Sequence, residues 1–179
     1  MRALRRGRFR ATCYRAHDPR WSFAPLSGNG AARYGGRYNR EGVPALYLSL
    51  EITTAIREIA QGFVHKLDPC VLCSYDVDCA PIADLTSAAG RKRHRAQLVE
   101  MASGWFAERR AGREPASWKL AERLGRAGYA GLLTPSFAPR ATPRDHNLVL
   151  WTWGPELPTR VTVNDPSGRL PANQLSWPV

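Results

Sequence analysis

The chain has little lysine, little acid and no long apolar run. Three of its 26 basic residues are lysine (Lys66, Lys92 and Lys119), and only 15 residues are acidic, which leaves a formal charge of +11. No stretch of about eighteen apolar residues exists, so no membrane-spanning helix is expected. The basic start, residues 1–10, is not followed by an apolar segment, so no secretory leader is read there and a cytoplasmic setting is the expectation. No repeat and no low-complexity linker is visible, which argues against a solenoid or a tethered array. Cysteine is sparse at four residues. Cys70 and Cys73 fall three apart in a predicted strand and so point to opposite faces, a poor geometry for sharing a metal. A redox C-x-x-C would open a helix, which this pair does not. Reduced thiols and no metal site are expected. Ser136 lacks the Gly-x-Ser-x-Gly surroundings of a hydrolase nucleophile.

What is present begins with arginine. The pI is near 10.3. Basic residues concentrate over 2–10 and 91–95, with a smaller group at Arg109, Arg110 and Arg113. A GC-rich coding sequence produces such a skew, but so does selection for an anionic partner: a nucleotide, an acidic protein or a nucleic acid. The clusters lack the interleaved aromatics of a base-stacking surface, so direct nucleic-acid binding is not expected. A non-enzymatic, basic nucleic-acid-binding protein is nonetheless the alternative that charge alone suggests.

A chain of 179 residues that is 44% apolar can build one domain with a real core. We place that core over about 9–164, between a basic segment 1–8 and an irregular segment 165–179. Strands are predicted over 9–16, 45–50, 70–77, 129–134, 147–153 and 160–163. Helices are predicted over 53–61, 93–110 and 117–126, the last stopped by Gly128. Residues 19–42 read as a long loop, ordered by Trp21, Phe23, Tyr34 and Tyr38. Strands and helices mix without regular βαβ alternation, so the fold class is α+β.

The chemistry-bearing residues lie in a few segments. Gly35-Gly36-Arg37-Tyr38-Asn39 pairs glycines, which let a backbone approach a ligand, with an arginine whose planar fork can grip phosphate. Tyr47 follows in a strand, and Glu58 lies in the next helix beside Ile56 and Ile59, which read as core. A carboxylate near the anomeric carbon of a ribosyl group stabilises a cationic transition state. At about 4 Å and an effective dielectric near 20, such an ion pair is worth roughly 4 kcal/mol. Arg15 sits mid-strand among apolar residues: an exposed edge residue, a partner in a structural ion pair, or a phosphate ligand. His17 shares its face and could hydrogen-bond a ligand. Ser136 ends a strand and is a plausible polar contact.

The order of Arg15, the 35–39 loop, Tyr47-Leu48, Glu58 and Pro135-Ser136 resembles the RES domain family, over about residues 14–153. Tyr38 stands where many members carry tryptophan. The resemblance implies an ADP-ribosyltransferase-like α+β fold of mixed sheets with flanking helices. It implies the toxin of a type II toxin–antitoxin pair, whose partner is an antitoxin of the Xre/MbcA/ParS type. The substrate implied is NAD+, cut at the nicotinamide N-glycosidic bond, with ADP-ribose passed to water, phosphate or a protein target. On this chain, Glu58 would stabilise the sugar cation, and Arg15 and Arg37 would bind the pyrophosphate or ribose side. Tyr47 would orient the nicotinamide ribose and Ser136 would hold the nicotinamide half. Gly36, Tyr38 and His17 complete the expected NAD+ contacts. An acidic antitoxin segment is expected over the arginine-rich cleft.

Overall fold

The computed structural model describes residues 7–60 and 68–175. Along the chain these form β1 (Phe9–His17), a 3-10 turn (Pro19–Trp21), α1 (Asn29–Tyr34), β2 (Leu46–Ser49), α2 (Ile52–Ala60), β3 (Val71–Cys79) and β4 (Ile82–Asp84). There follow α3 (Ala88–Arg93), α4 (Leu98–Met101), α5 (Trp105–Arg110), α6 (Ala116–Arg126), β5 (Gly131–Pro135), β6 (His146–Leu150) and β7 (Thr159–Val163). The seven strands make one sheet in the order β4-β5-β6-β2-β1-β3-β7. Only β4 and β5 run parallel; the other pairs are antiparallel. The expected α+β class is found, with its strands joined in a single mixed sheet.

Strand alternation sorts side chains onto two covered faces. Leu46, Leu48, Leu148 and Leu150 pack with Cys13, Tyr75, Val77 and Val161 on one of them. Val149 and Leu132 point the other way, against Leu120, Ala121 and Leu124 of α6 and Met101 of α4. The apolar residues of α6 recur at helical spacing, and burying Leu120 and Leu124 contributes roughly 1.5–3 kcal/mol each. Gly128, at φ +85°, takes the left-handed turn that ends this helix.

The feature that makes room for a site is a break in pairing. β1 pairs with β3 along all nine of its residues but meets β2 only at Tyr14 and Ser49. β2 in turn pairs with β6 along its full length. The sheet therefore opens between β1 and β2, and α2 follows β2 directly.

Several expectations change. The helix predicted over 93–110 is three short helices. Ser87 caps α3 through the Gly90 N–H, Arg95 at φ 51° turns the chain out of it, and Gly104 reopens a helix at α5. Leu98 and Phe106, which suggested a continuous apolar stripe, are exposed; Met101 alone of that stripe is fully buried. The long loop contains α1, and β4 was not anticipated. Ile59 is exposed rather than in the core. Gln61, the expected last residue of the helix over 53–61, lies outside the described residues, as do residues 1–6 of the basic segment 1–8. No helix among the described residues is long and apolar enough to cross a membrane.

Candidate active site

The opening between β1 and β2 is one wall of a cavity of about 1520 Å³. This is larger than most small-ligand sites, which run about 300–1,000 Å³. Arg15 and His17 reach it from β1, Arg37 and Tyr38 from the glycine loop, Tyr47 from β2 and Glu58 from α2. Six of the eight sequence-derived site residues thus line one space, and Gly36 makes a seventh. Ser136 does not line it, but touches it through Glu58.

Glu58 is held from two sides. The Ser136 hydroxyl donates to its Oε1 at 2.6 Å, and Asn147 Nδ2 donates to the same oxygen at 2.5 Å. Asn147 is itself oriented by the Ser49 hydroxyl, which donates to its Oδ1 at 2.8 Å. One carboxylate oxygen is therefore fixed, and Oε2 has no protein partner among the described residues. An anionic oxygen with its rotamer set and one lone-pair face open can stabilise a developing positive charge without first reorganising.

Arg15 is half-buried. Its Nη1 donates to the carbonyls of Pro25 and Ser27 at 3.4 and 3.2 Å, and no carboxylate pairs with it among the described residues. Burial lowers its pKa, a sign that the charge is poorly solvated. Arg37 is anchored likewise. Nη1 donates to the Met101 and Ser103 carbonyls at 3.0 and 2.6 Å, and its guanidinium stacks 5.0 Å from the centre of the Phe137 ring. Each arginine keeps most of its five donors for something else. Of the open readings of Arg15, a structural ion pair is not what the geometry holds among the described residues.

His17 is buried. The Tyr75 hydroxyl donates to the Pro25 carbonyl at 3.1 Å, so His17 donates from Nε2 to that hydroxyl at 2.5 Å. Burial, reinforced by the Arg15 charge, pushes the His17 pKa down to about 4. The ring is neutral near pH 7, which spares Arg15 a second positive charge.

The glycine loop is clamped on three sides. Gly35 turns at φ +72°. A Cβ at Gly36 would lie 2.5 Å from the Tyr47 hydroxyl and 2.6 Å from Asn39 Oδ1, so only glycine fits. The Tyr38 N–H donates to the Tyr47 hydroxyl at 3.0 Å, which donates to Asn39 Oδ1 at 2.7 Å. Trp118 Nε1 donates to the Gly36 carbonyl at 2.7 Å, and Trp151 Nε1 to the Tyr38 carbonyl at 2.9 Å. The Tyr38 hydroxyl meets Thr134 Oγ1 at 3.0 Å, and burial raises its pKa to about 12. Tyr47 is raised further by the same cause. Neither phenol is poised to ionise.

Behind Glu58 lies a second carboxylate. Asp145 Oδ1 accepts from the Thr54 hydroxyl at 2.5 Å and from Arg57 Nη1 at 2.6 Å, and Oδ2 accepts from the Thr142 N–H and hydroxyl at 2.6 and 2.7 Å. These hydrogen bonds, Thr54 foremost, hold its pKa near 2. Asn147, Ser49, Asp145 and Thr54 all escaped sequence reasoning. One signal was available: Asn147 is a lone amide opening the apolar run Leu148-Val149-Leu150.

Cys13, Cys73 and Cys79 are buried and unbridged, and burial raises Cys13 to about 12 and Cys79 to about 11. Such thiols are not nucleophiles at neutral pH. Among the described residues no group of three or more His, Cys, Asp or Glu side chains is placed to hold a metal ion.

Comparison with known proteins bears on this arrangement. No curated protein matches the chain in sequence. The fold is similar to the crystal structure of the M. tuberculosis MbcT–MbcA toxin–antitoxin complex, with a TM-score of 0.57 at 20% identity over 89% of this chain and 85% of that one. The RES domain matches residues 12–173, from within β1 to beyond β7 and across every site residue described above. The chain belongs to the RES domain family.

Proposed function

We propose that this protein is the toxin of a toxin–antitoxin pair and that it cleaves NAD+ at the nicotinamide N-glycosidic bond. The observation that carries the reading is Glu58, fixed through Oε1 in a cavity that also presents two arginines with no carboxylate partner among the described residues. Arg15 and Arg37 take the pyrophosphate, whose two negative charges suit two anchored guanidinium groups. Tyr47 and Tyr38 hold the glycine loop that carries Arg37, and so orient the ribose side. His17, kept neutral, leaves the Arg15 charge unopposed for the substrate.

The C–N bond to nicotinamide breaks with both electrons leaving on the neutral base, and positive charge develops on C1 of the ribose. Glu58 Oε2 is the oxygen left to meet that charge. An acceptor then bonds to C1 and releases its proton. Water gives ADP-ribose, phosphate gives the 1″-phosphate, and a protein side chain gives a mono-ADP-ribosylated target.

An antitoxin of the Xre/MbcA/ParS type is the proposed partner, in keeping with the complex in which the structural neighbour was solved. Tyr34 and Phe106 border the cavity beside Arg20 and Arg109, which pair with Asp18 and Glu41, so an acidic segment with apolar contacts would compete with those carboxylates for the guanidinium groups. A cytoplasmic setting, where NAD+ is at hand, goes with this reading.

The test uses purified protein and NAD+ labelled in the adenylate half, with and without phosphate and with cell lysate. Labelled ADP-ribose, ADP-ribose-1″-phosphate or protein supports the reading and identifies the acceptor. NAD+ untouched in all three, or cleavage by Glu58→Gln at the parent rate, overturns it. Salt-sensitive binding of DNA or RNA that is indifferent to Glu58 would favour the nucleic-acid alternative.

A further inference from the structure

We infer that Asp145 is a positioning residue that holds Glu58 against Ser136 and Asn147, acting through helix α2. Its catalytic consequence rests on the NAD+-cleaving reading; its structural consequence rests on geometry alone.

Thr54 and Glu58 are four residues apart on α2, one above the other on the same helix face. Asp145 and Asn147 are two residues apart on the chain that enters and begins β6, and so share a face of that strand. Thr54 bonds to Asp145 at 2.5 Å, and Glu58 bonds to Asn147 at 2.5 Å. These are two rungs between one helix and one strand. A helical turn rises about 5.4 Å and two strand residues span about 6.8 Å, so the rungs fall nearly in step. Fixing the first rung sets the second.

Asp145 also governs the other partner of Glu58. Its backbone carbonyl accepts the Ser136 N–H at 2.7 Å, and its N–H donates to the Thr142 carbonyl at 3.0 Å. One residue thus gathers α2, the start of β6 and the loop that carries Ser136. Its carboxylate is 3% exposed as a residue and accepts four hydrogen bonds, one of them from a guanidinium. None of its atoms lines the cavity, so it works on the substrate only through Glu58.

The chemistry of the group matters as well as its shape. An amide in place of the carboxylate has one acceptor and one donor end. Turned either way, its NH2 confronts donors: Thr54 and Arg57 on one side, the Thr142 N–H on the other. Asp145→Asn therefore keeps the volume and loses one attachment.

The experiment compares Asp145→Asn, Thr54→Val and the conservative Thr54→Ser with the parent. Two readouts are taken: kcat and KM for NAD+ cleavage, and the Ser136 Oγ to Glu58 Oε1 distance in crystal structures. For Asp145→Asn and Thr54→Val the expected result is a kcat lowered about ten- to hundredfold, KM within about twofold, and a distance beyond about 3.5 Å. Thr54→Ser, which keeps the hydroxyl, is expected to stay within about threefold of the parent kcat. Parent-like kcat in Thr54→Val, or an intact Ser136–Glu58 bond in either disruptive variant, overturns the inference. If Asp145→Asn does not fold, the Thr54 pair decides the matter. If the parent leaves NAD+ intact, the functional reading fails while the distance still judges the positioning role.

Discussion

The hydroxyl of Ser136 donates a 2.6 Å hydrogen bond to Oε1 of Glu58, joining residues 78 positions apart in the chain. Ser136 also accepts the Ala138 N–H at 3.2 Å, so its hydrogen is directed at the carboxylate. The serine thus sits behind the acid, not in the cavity. What it fixes at the cavity wall is the Glu58 carboxylate.

Replacing Ser136 by alanine should accordingly act on turnover. A hydrogen bond to a charged group is worth about 1.5–3 kcal/mol, which is roughly ten- to hundredfold in rate if felt at the transition state. Ser136→Ala is expected to lower kcat by that factor with KM within about twofold, as read from the release of nicotinamide. A raised KM with kcat preserved would instead assign the serine to holding the nicotinamide half.

Gly36→Ala tests the close approach of the loop to β2. The new methyl would meet the Tyr47 hydroxyl at 2.5 Å, and Tyr47 is locked between the Tyr38 N–H and Asn39. Overpacking of this kind costs about 1–3 kcal/mol. The expected thermal midpoint falls by about 2–12 °C, and NAD+ cleavage is lost as Arg37 is displaced. A midpoint and activity equal to the parent's would show that the loop moves freely.

The parts of this structure that were legible in the sequence are those with local signals. β1, β2, α2, β3 and α6 announced themselves by periodicity, and Gly35, Gly36, Arg37 and Glu58 by residue type. The helix predicted over 93–110 failed because apolar spacing there competes with a left-handed turn at Arg95 and a fresh start at Gly104. Asn147 and Asp145 were not legible because their meaning comes from register. Asn147 lies opposite Ser49 on one side and Thr134 on the other, pairings 98 and 13 residues apart. Likewise, nothing local to β1 or β2 reveals that they pair at one residue only, yet that opening makes the cavity.

Arg15 and His17 are coupled by charge, and the coupling has a measurable sign. The Arg15 cation disfavours protonation of the nearby ring, second only to burial. Arg15→Gln removes the charge, together with the Nη1 hydrogen bonds to the Pro25 and Ser27 carbonyls. The His17 pKa should rise from about 4 toward its ordinary 6.5, measured by NMR of the imidazole protons. NAD+ affinity should fall in the same variant. A His17 pKa that does not move would separate the two residues electrically.

Stability should fall in two stages as the solution is acidified. His17 titrates at 6.5 when unfolded and about 4 when folded, so the unfolded chain binds more protons between these values and stability declines through that window. A difference of this size is worth roughly 3 kcal/mol, or about 6–12 °C in the midpoint for a domain of this length. His94, lowered by partial burial and by Arg93, adds to the same slope. Asp145 contributes next. Its folded pKa of about 2 lies below the unfolded 3.8, so its stabilisation is complete above about pH 4 and disappears as pH falls toward 2. His17→Gln keeps the N–H donor to Tyr75 but cannot titrate. Thermal midpoints taken from about pH 7.5 down to about pH 4 should drop less steeply in this variant than in the parent. An equal drop in both would place the acid sensitivity elsewhere, and a flat parent profile would mean that His17 is not held neutral by its burial.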